Sequence, residues 1–431
     1  MNSYDEKWLA IEKRLGTDYG PGIVKELKKL NEFFGDGILE WLAELYDPES
    51  GGFYYSVSAR DNEGFLPDVE STLSALESPQ TFGAANGKSW HDLWPDWLKK
   101  KIGDFVYEMQ DEDGYFYHKQ WPKSDCTELR NARTLGVCVK LLDFAGRKPK
   151  YSVPSSAAST SSPSYDLEKA PERFRSVENF KKYIYEELDF RTRAYHSGST
   201  LSSQWGEVEF YSKILGADLG QIAVEHIDSL QRPDNGLWHE NVDYYGANGV
   251  HKMSWIYGTK RKIPYVDKAL DSIMTVIMSD EPIDATVDAY NPWHALSVLL
   301  ANKKYAHNAS EEEMKDIMSK IYSFAPMAIK KSLDKIRPFK HADNGLSYFA
   351  NRSCHSSYGN QISVKNSAEG EVNGALCAYG VYIYVCQALG IGDIKVPTYC
   401  EEDVNKFIRI IEEKEEKYTN MCVCSVQRKG E

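Results

Sequence analysis

An all-α fold, an (α/α)6 toroid of outer and inner helical hairpins with short β/aromatic turns on the site face, is what this sequence predicts. Three observations carry it. Four stretches share an acidic turn closed by glycine and followed by aromatic residues: 47–54, 111–117, 232–238 and 341–349. Each follows an amphipathic helical pattern, and each precedes a second pattern that is apolar nearly all round, as a buried helix is. A unit that returns along a chain cannot bury its apolar face alone and stacks on its neighbours.

The first outer helix is read from Ile23, Leu27, Leu30, Phe34, Ile38, Trp41, Leu42 and Leu45, and its inner partner from Leu66 to Leu76. The second pair runs from Trp97 to Met109 and then from Glu128. The third is Phe180 to Leu188, followed by a helix from Ser202. Leu219 to Leu230 pairs with a helix near Val250, and Val266 to Met278 with one starting at Asp284. Met314 to Leu333 pairs with a helix from Glu369, and a charged helix from Glu401 to Tyr418 closes the chain. Because the alternation continues throughout, 1–431 is read as a single domain. Residues 148–172, rich in serine and alanine, are expected to form a flexible surface excursion, and 419–431 a loose tail.

A net charge of −13 argues against a nucleic-acid surface, which needs clustered Lys and Arg. No stretch approaches the ~20 apolar residues of a membrane span. The N-terminus lacks the basic and apolar regions of a signal peptide, so a cytoplasmic protein is expected. Eight scattered cysteines read as free thiols, with Cys422 and Cys424 the one close pair. No cofactor and no metal are expected, since no strong ligand spacing is visible.

In a toroid the starts of the inner helices open at one end of the ring. Asp68, Glu70, Arg130, Arg133, Trp205, Glu207, His251, Asn291, Trp293, His294, Asp288, Glu371 and Asn373 gather there. The glycine turns add Trp238, His239, Asn241 and Tyr245. Asp and Asn at helix starts are ordinary caps that suit the helix dipole. Arg130, Arg133, His251 and Lys252 oppose it, so they call for an acidic neighbour or an anionic ligand.

Two chemistries fit these residues. Glycoside cleavage needs one protonated and one ionised carboxyl across the bond, and Glu70 and Asp288 are the expected pair, with Glu207 and Glu371 in reserve. Elimination from a uronate needs a base and a group that neutralises the carboxylate. His239, Tyr245, Asn241 and Arg133 suit those roles. Arg133 and His239 are expected to hold the sugar and Trp205, Trp238 and Trp293 to stack on it.

The stretches Gln110-Asp-Glu-Asp-Gly-Tyr-Phe and Gln231-Arg-Pro-Asp-Asn-Gly-Leu-Trp resemble the QW repeat of squalene–hopene-type cyclases. Similar turns occur in protein prenyltransferases and in toroidal glycosidases and polysaccharide lyases, and the resemblance implies the α/α toroid. Asp68-Val-Glu-Ser-Thr72 resembles the Asp-x-Asp-Asp-Thr acid motif of type II terpene cyclases, with Glu70 at the proton donor's place and Ser71 after it. Cys354-His355 and Trp255-Ile-Tyr-Gly258 resemble zinc motifs of lanthipeptide cyclases, with Ile256 where a cysteine stands there. The run from Asp234 to Gly249 resembles that of hyaluronate and chondroitin lyases: His239, Asn241, Gly246 and Gly249 match, but Asn248 stands where those enzymes carry the catalytic tyrosine.

The mixture of carboxylates, arginines, histidines and amides suits hydroxyl-rich or uronic substrates better than an isoprenoid. The expected function is therefore cleavage of glycosidic bonds in oligosaccharides, by hydrolysis ahead of β-elimination. A terpene- or prenyl-cyclase activity and a non-catalytic toroid that binds glycan or peptide are the alternatives.

Overall fold

The computed structural model describes residues 3–85, 88–153, 166–357 and 359–429, most of them in helices. The middle of the expected surface excursion, 154–165, lies outside the described residues. In chain order the helices begin with α1 (Ser3–Leu15), α2 (Gly20–Phe34), α3 (Ile38–Glu44), α4 (Val57–Asp61), α5 (Val69–Thr81) and α6 (Asp96–Tyr107). They continue with α7 (Glu128–Phe144), α8 (Val177–Lys182), α9 (Ala194–Ser203), α10 (Trp205–Leu215), α11 (Leu219–Leu230) and α12 (Tyr244–Tyr257). The last are α13 (Val266–Met278), α14 (Thr286–Ala301), α15 (Glu311–Ile336), α16 (Val372–Ala388) and α17 (Glu401–Lys429). A two-residue antiparallel ladder pairs β1 (Ser356–Ser357) with β2 (Asn360–Gln361). α17 stays helical to Lys429, where a loose tail was expected from 419. None of the described helices is long and apolar enough to cross a membrane.

Contacts divide the chain into two compact units. The first comprises Met1–Leu30, Ser161–Ile336 and Gly380–Ile394; the second comprises Asn31–Thr160, Arg337–Tyr379 and Lys395–Glu431.

In the first unit α12 packs on α9 and α14, and α13 on α14 and α15. Ile227, Ile273, Leu296, Leu299 and Ile329 are fully buried there. The inner helix expected from Ser202 begins instead at Ala194, and Gln204 separates it from α10. Its sequence, Ala-Tyr-His-Ser-Gly-Ser-Thr-Leu-Ser-Ser, carries almost no large apolar residue, so periodicity does not mark it. It is held by close approach instead: a Cβ on Gly249 of α12 would lie 2.8 Å from the Cβ of Ala194, nearer than real contacts allow.

In the second unit α5 and α6 pack on α7, and α17 packs on α3. Leu42, Phe53, Leu76, Phe82, Ile102, Leu141 and Phe407 are fully buried. Tyr379 stands edge-on to Phe82 and Phe34, with centroids 4.4 and 5.1 Å away.

The four glycine turns share one hydrogen-bond plan. The first residue's carbonyl accepts from the N–H of a residue of positive φ: Asp47 from Gly51, Arg232 from Gly236, Asp111 from Gly114 and His341 from Asn344. The first residue's N–H then donates to the carbonyl just beyond, at Gly52, Leu237, Tyr115 and Gly345. Turns 47–51 and 232–236 are one residue longer than 111–114 and 341–344. In the fourth, the left-handed position therefore falls on Asn344 (φ 67°), a residue type that tolerates it. Gly345 is needed for space, since a Cβ there would meet Trp41 at 2.6 Å.

Candidate functional site

In the second unit, Asp68 caps α5. Its carboxylate accepts from the backbone N–H of Glu70 (2.9 Å) and Ser71 (3.1 Å) and from the Ser71 hydroxyl. The cap turns Glu70 towards α7, where Arg130 Nη1 donates to it at 3.1 Å and Arg133 Nε at 2.8 Å. Arg130 is 1% exposed, lies 4.7 Å from the Trp121 ring, and also donates to Ser357 Oγ at 3.0 Å. Its Nε and Nη2 have no partner.

Asp68, Glu70 and Arg133 line a pocket of about 300 Å³ with Tyr55, Tyr348, Cys354, Ser357 and Asn373. Glu371, the residue before α16, bridges to Ser56 and is fully buried next to the lining residues Val372 and Asn373, without lining the pocket itself. Tyr348 N–H donates to its Oε1 at 2.8 Å, whereas its Oε2 has no partner. Burial raises its carboxyl well above the ordinary value of 4.5, and Glu369 and Asp343 add to the rise against hydrogen bonds from the Cys354 and Tyr348 backbone. Withdrawal from water thus favours the protonated form of Glu371 over the carboxylate. Burial and then Glu371 hold the Tyr55 phenol far above its usual range, and burial also raises the Cys354 thiol. Tyr348 is an aromatic residue of the fourth glycine turn, whereas Tyr55 and Ser357 come from segments without helical periodicity and no sequence signal marks them.

The first unit gathers a different set. His251 on α12 and His294 on α14 face each other with Nδ1 atoms 2.5 Å apart. One ring must donate and the other accept, so the neutral pair presents one Nε2 lone pair and one Nε2–H. Burial, then His294 and Lys252, lowers His251 to about 2, and burial with Lys252 lowers His294 to about 4. Lys252 Nζ lies 3.7 Å over the Trp255 ring, and burial lowers it to about 8. Beside them, Asp288 accepts from its own helix start at Ala285 N (3.1 Å) and from Asn248 Nδ2 (2.8 Å). Asn248 Oδ1 accepts in turn from Asn291 Nδ2 at 2.8 Å, which leaves Asn291 Oδ1 buried without a donor.

The remaining expected residues do not join either cluster. Trp238 and Trp293, expected to stack on substrate, are core residues at 2% and 0% exposure; their indoles donate to Ile227 O and Ser332 Oγ, both at 2.9 Å. Trp205 lies 5.1 Å from the Arg261 guanidinium in a groove of about 490 Å³. Glu207 is paired with Arg173 at 3.3 Å. His239 Nδ1 accepts from Asn241 N–H (3.3 Å), and the Tyr245 hydroxyl donates to Thr192 O. Of the expected acid/base pair, Glu70 belongs to the second unit and Asp288 to the first. The terpene-cyclase donor position, Glu70, is occupied in ion pairs. Among the described residues, no group of three or more His, Cys, Asp or Glu is placed to hold a metal.

Comparison with protein-family models, curated proteins and solved structures finds no significant match to this chain.

Proposed function

We propose that the chain is a carbohydrate-active enzyme of the (α/α)6 toroid type that hydrolyses glycosidic bonds in oligosaccharides at the second unit's pocket. The observation that carries this reading is the contrast between two carboxyls beside one pocket. Burial raises Glu371 well above the ordinary carboxyl value, while Glu70 lies in two ion pairs. Hydrolysis of a glycoside asks for that combination, an acid for the leaving oxygen and an anion for the developing oxocarbenium charge. Glu371 takes the place first given to Asp288. Tyr55 and Tyr348 supply ring faces for a sugar, and Asn373 an amide for its hydroxyls. The repeated turn geometry supports the toroid.

The test is incubation with neutral and uronate-containing oligosaccharides, read by mass spectrometry and by absorbance of unsaturated uronates. The expected products gain one water per bond cleaved, and Glu371→Gln abolishes their formation with the fold intact, since an uncharged amide of the same shape replaces the buried carboxyl. An unsaturated product would replace hydrolysis by elimination. Full turnover in Glu371→Gln removes Glu371 from the reaction.

A further inference from the structure

Lys252 is a partly buried cation of the first unit that has no ion pair among the described residues. It projects from the middle of α12, half-buried, and no carboxylate contributes to its electrostatic surroundings. Its neighbours are aromatic: the Trp255 ring at 3.7 Å and the Tyr195 ring at 5.4 Å. The His251–His294 pair stands beside it, and both rings feel its charge. The aromatic wall continues from His294 to Tyr384 at 4.2 Å and from Tyr384 to Tyr290 at 5.7 Å, stacked. Trp255 is 48% exposed, so its side of the cluster faces solvent.

Withdrawing an ammonium from water without a partner is costly, and the usual remedy is an opposite charge. Cation–π contact with Trp255 offsets part of that cost, but it leaves the charge uncompensated. We infer that the first unit binds a carboxylate-bearing ring compound at the Lys252–His251–His294 cluster, with Trp255, Tyr384 and Tyr290 as the apolar wall against its ring.

The charge count selects the ligand. Lys252 supplies one positive charge, and the neutral histidine pair supplies one Nε2–H. The cluster lies within α12 and α14, whose interior backbone N–H groups are spent on helix bonds, so no anion-binding helix start contributes. No arginine is among the contacts named. A single-charged carboxylate is matched by this set, whereas a phosphate dianion is not. The inference concerns binding in the first unit and does not depend on hydrolysis in the second.

Isothermal titration calorimetry of the full chain with glucuronate, glucose and inorganic phosphate tests it. The first two differ by a carboxylate on the same ring. Glucuronate is expected to bind at one site, with glucose at least about tenfold weaker. Lys252→Met is expected to weaken glucuronate by a similar factor, and Lys252→Arg to retain most of the affinity. His294→Gln, which keeps a polar side chain, reports on the pair by itself and is expected to weaken binding less than Lys252→Met. Equal binding of glucose, an unchanged affinity in a folded Lys252→Met, or phosphate binding tighter than glucuronate overturns the assignment.

Discussion

Arg130 in the second unit and Lys252 in the first are both cations withdrawn from water among helices, yet only Arg130 meets a carboxylate. Glu70 closes the charge on Arg130, and Trp121 covers its face. Lys252 has its aromatic cover but no anion. A paired buried charge holds structure, because removing one partner strands the other. An unpaired one contributes nothing to the fold that a methylene chain would not, and its retention points outward to a ligand.

The contrast can be broken most directly by urea unfolding. Glu70→Gln strands Arg130 and is expected to cost about 3 kcal/mol or more, while Lys252→Met is expected to be neutral or stabilising. If both variants lose the same stability, the distinction between the clusters is wrong. It also follows that Glu70→Gln cannot serve as a clean test of turnover, whereas Glu371→Gln can.

Acidity sharpens the comparison from the other side. His251 and His294 titrate below the ordinary 6.5 in the folded chain. Their stabilising contribution is complete above 6.5 and is lost as pH falls towards their folded values, because the unfolded chain then takes protons that the folded one refuses. For each proton withheld, stability falls by about 1.4 kcal/mol per pH unit. Denaturant midpoints between pH 7 and 5 are expected to drop, and a His251→Gln/His294→Gln variant to drop less. Glu371 has the opposite sign: raised above 4.5, it weakens the fold as pH rises from there. Glu371→Gln is expected to flatten that alkaline arm, and an unaltered profile would mean that the carboxyl is not buried neutral.

The smallest expected effect lies outside both clusters. Ser332→Ala strands the buried Trp293 indole N–H and is expected to cost about 1–2 kcal/mol, with oligosaccharide turnover unchanged. Loss of turnover at unchanged stability would return Trp293 to the list of substrate contacts.

Much of the helical order was legible, because α2, α11 and α13 each carry a clear apolar stripe. α9 was not, since glycine, serine and alanine pack it by closeness and leave no stripe. The repeat motif was visible at all four turns, but aligning them on Asp-Asn-Gly hides the one-residue difference that puts Asn344 where Gly236 stands. The dipole argument was sound for Arg130, in the first turn of α7, and misplaced for His251 and Lys252, which lie two turns into α12. Trp238 and Trp293 show why aromatic residues near a presumed rim mislead: indole donors bond as readily to core carbonyls and hydroxyls as to sugars. Both histidines were expected at the site end, but their direct contact was not legible, because the two rings sit 43 residues apart on different helices.

Neither unit is a continuous piece of chain, and this bears on how the protein is made. Phe407 of α17 seals Phe53 and Trp94, and Glu415 receives the Tyr46 hydroxyl and the Lys101 ammonium, both at 2.5 Å. A ribosome therefore releases Phe53 some 350 residues before the side chain that covers it. Until α17 has emerged, the surface of Phe53 and Trp94 that Phe407 covers is open.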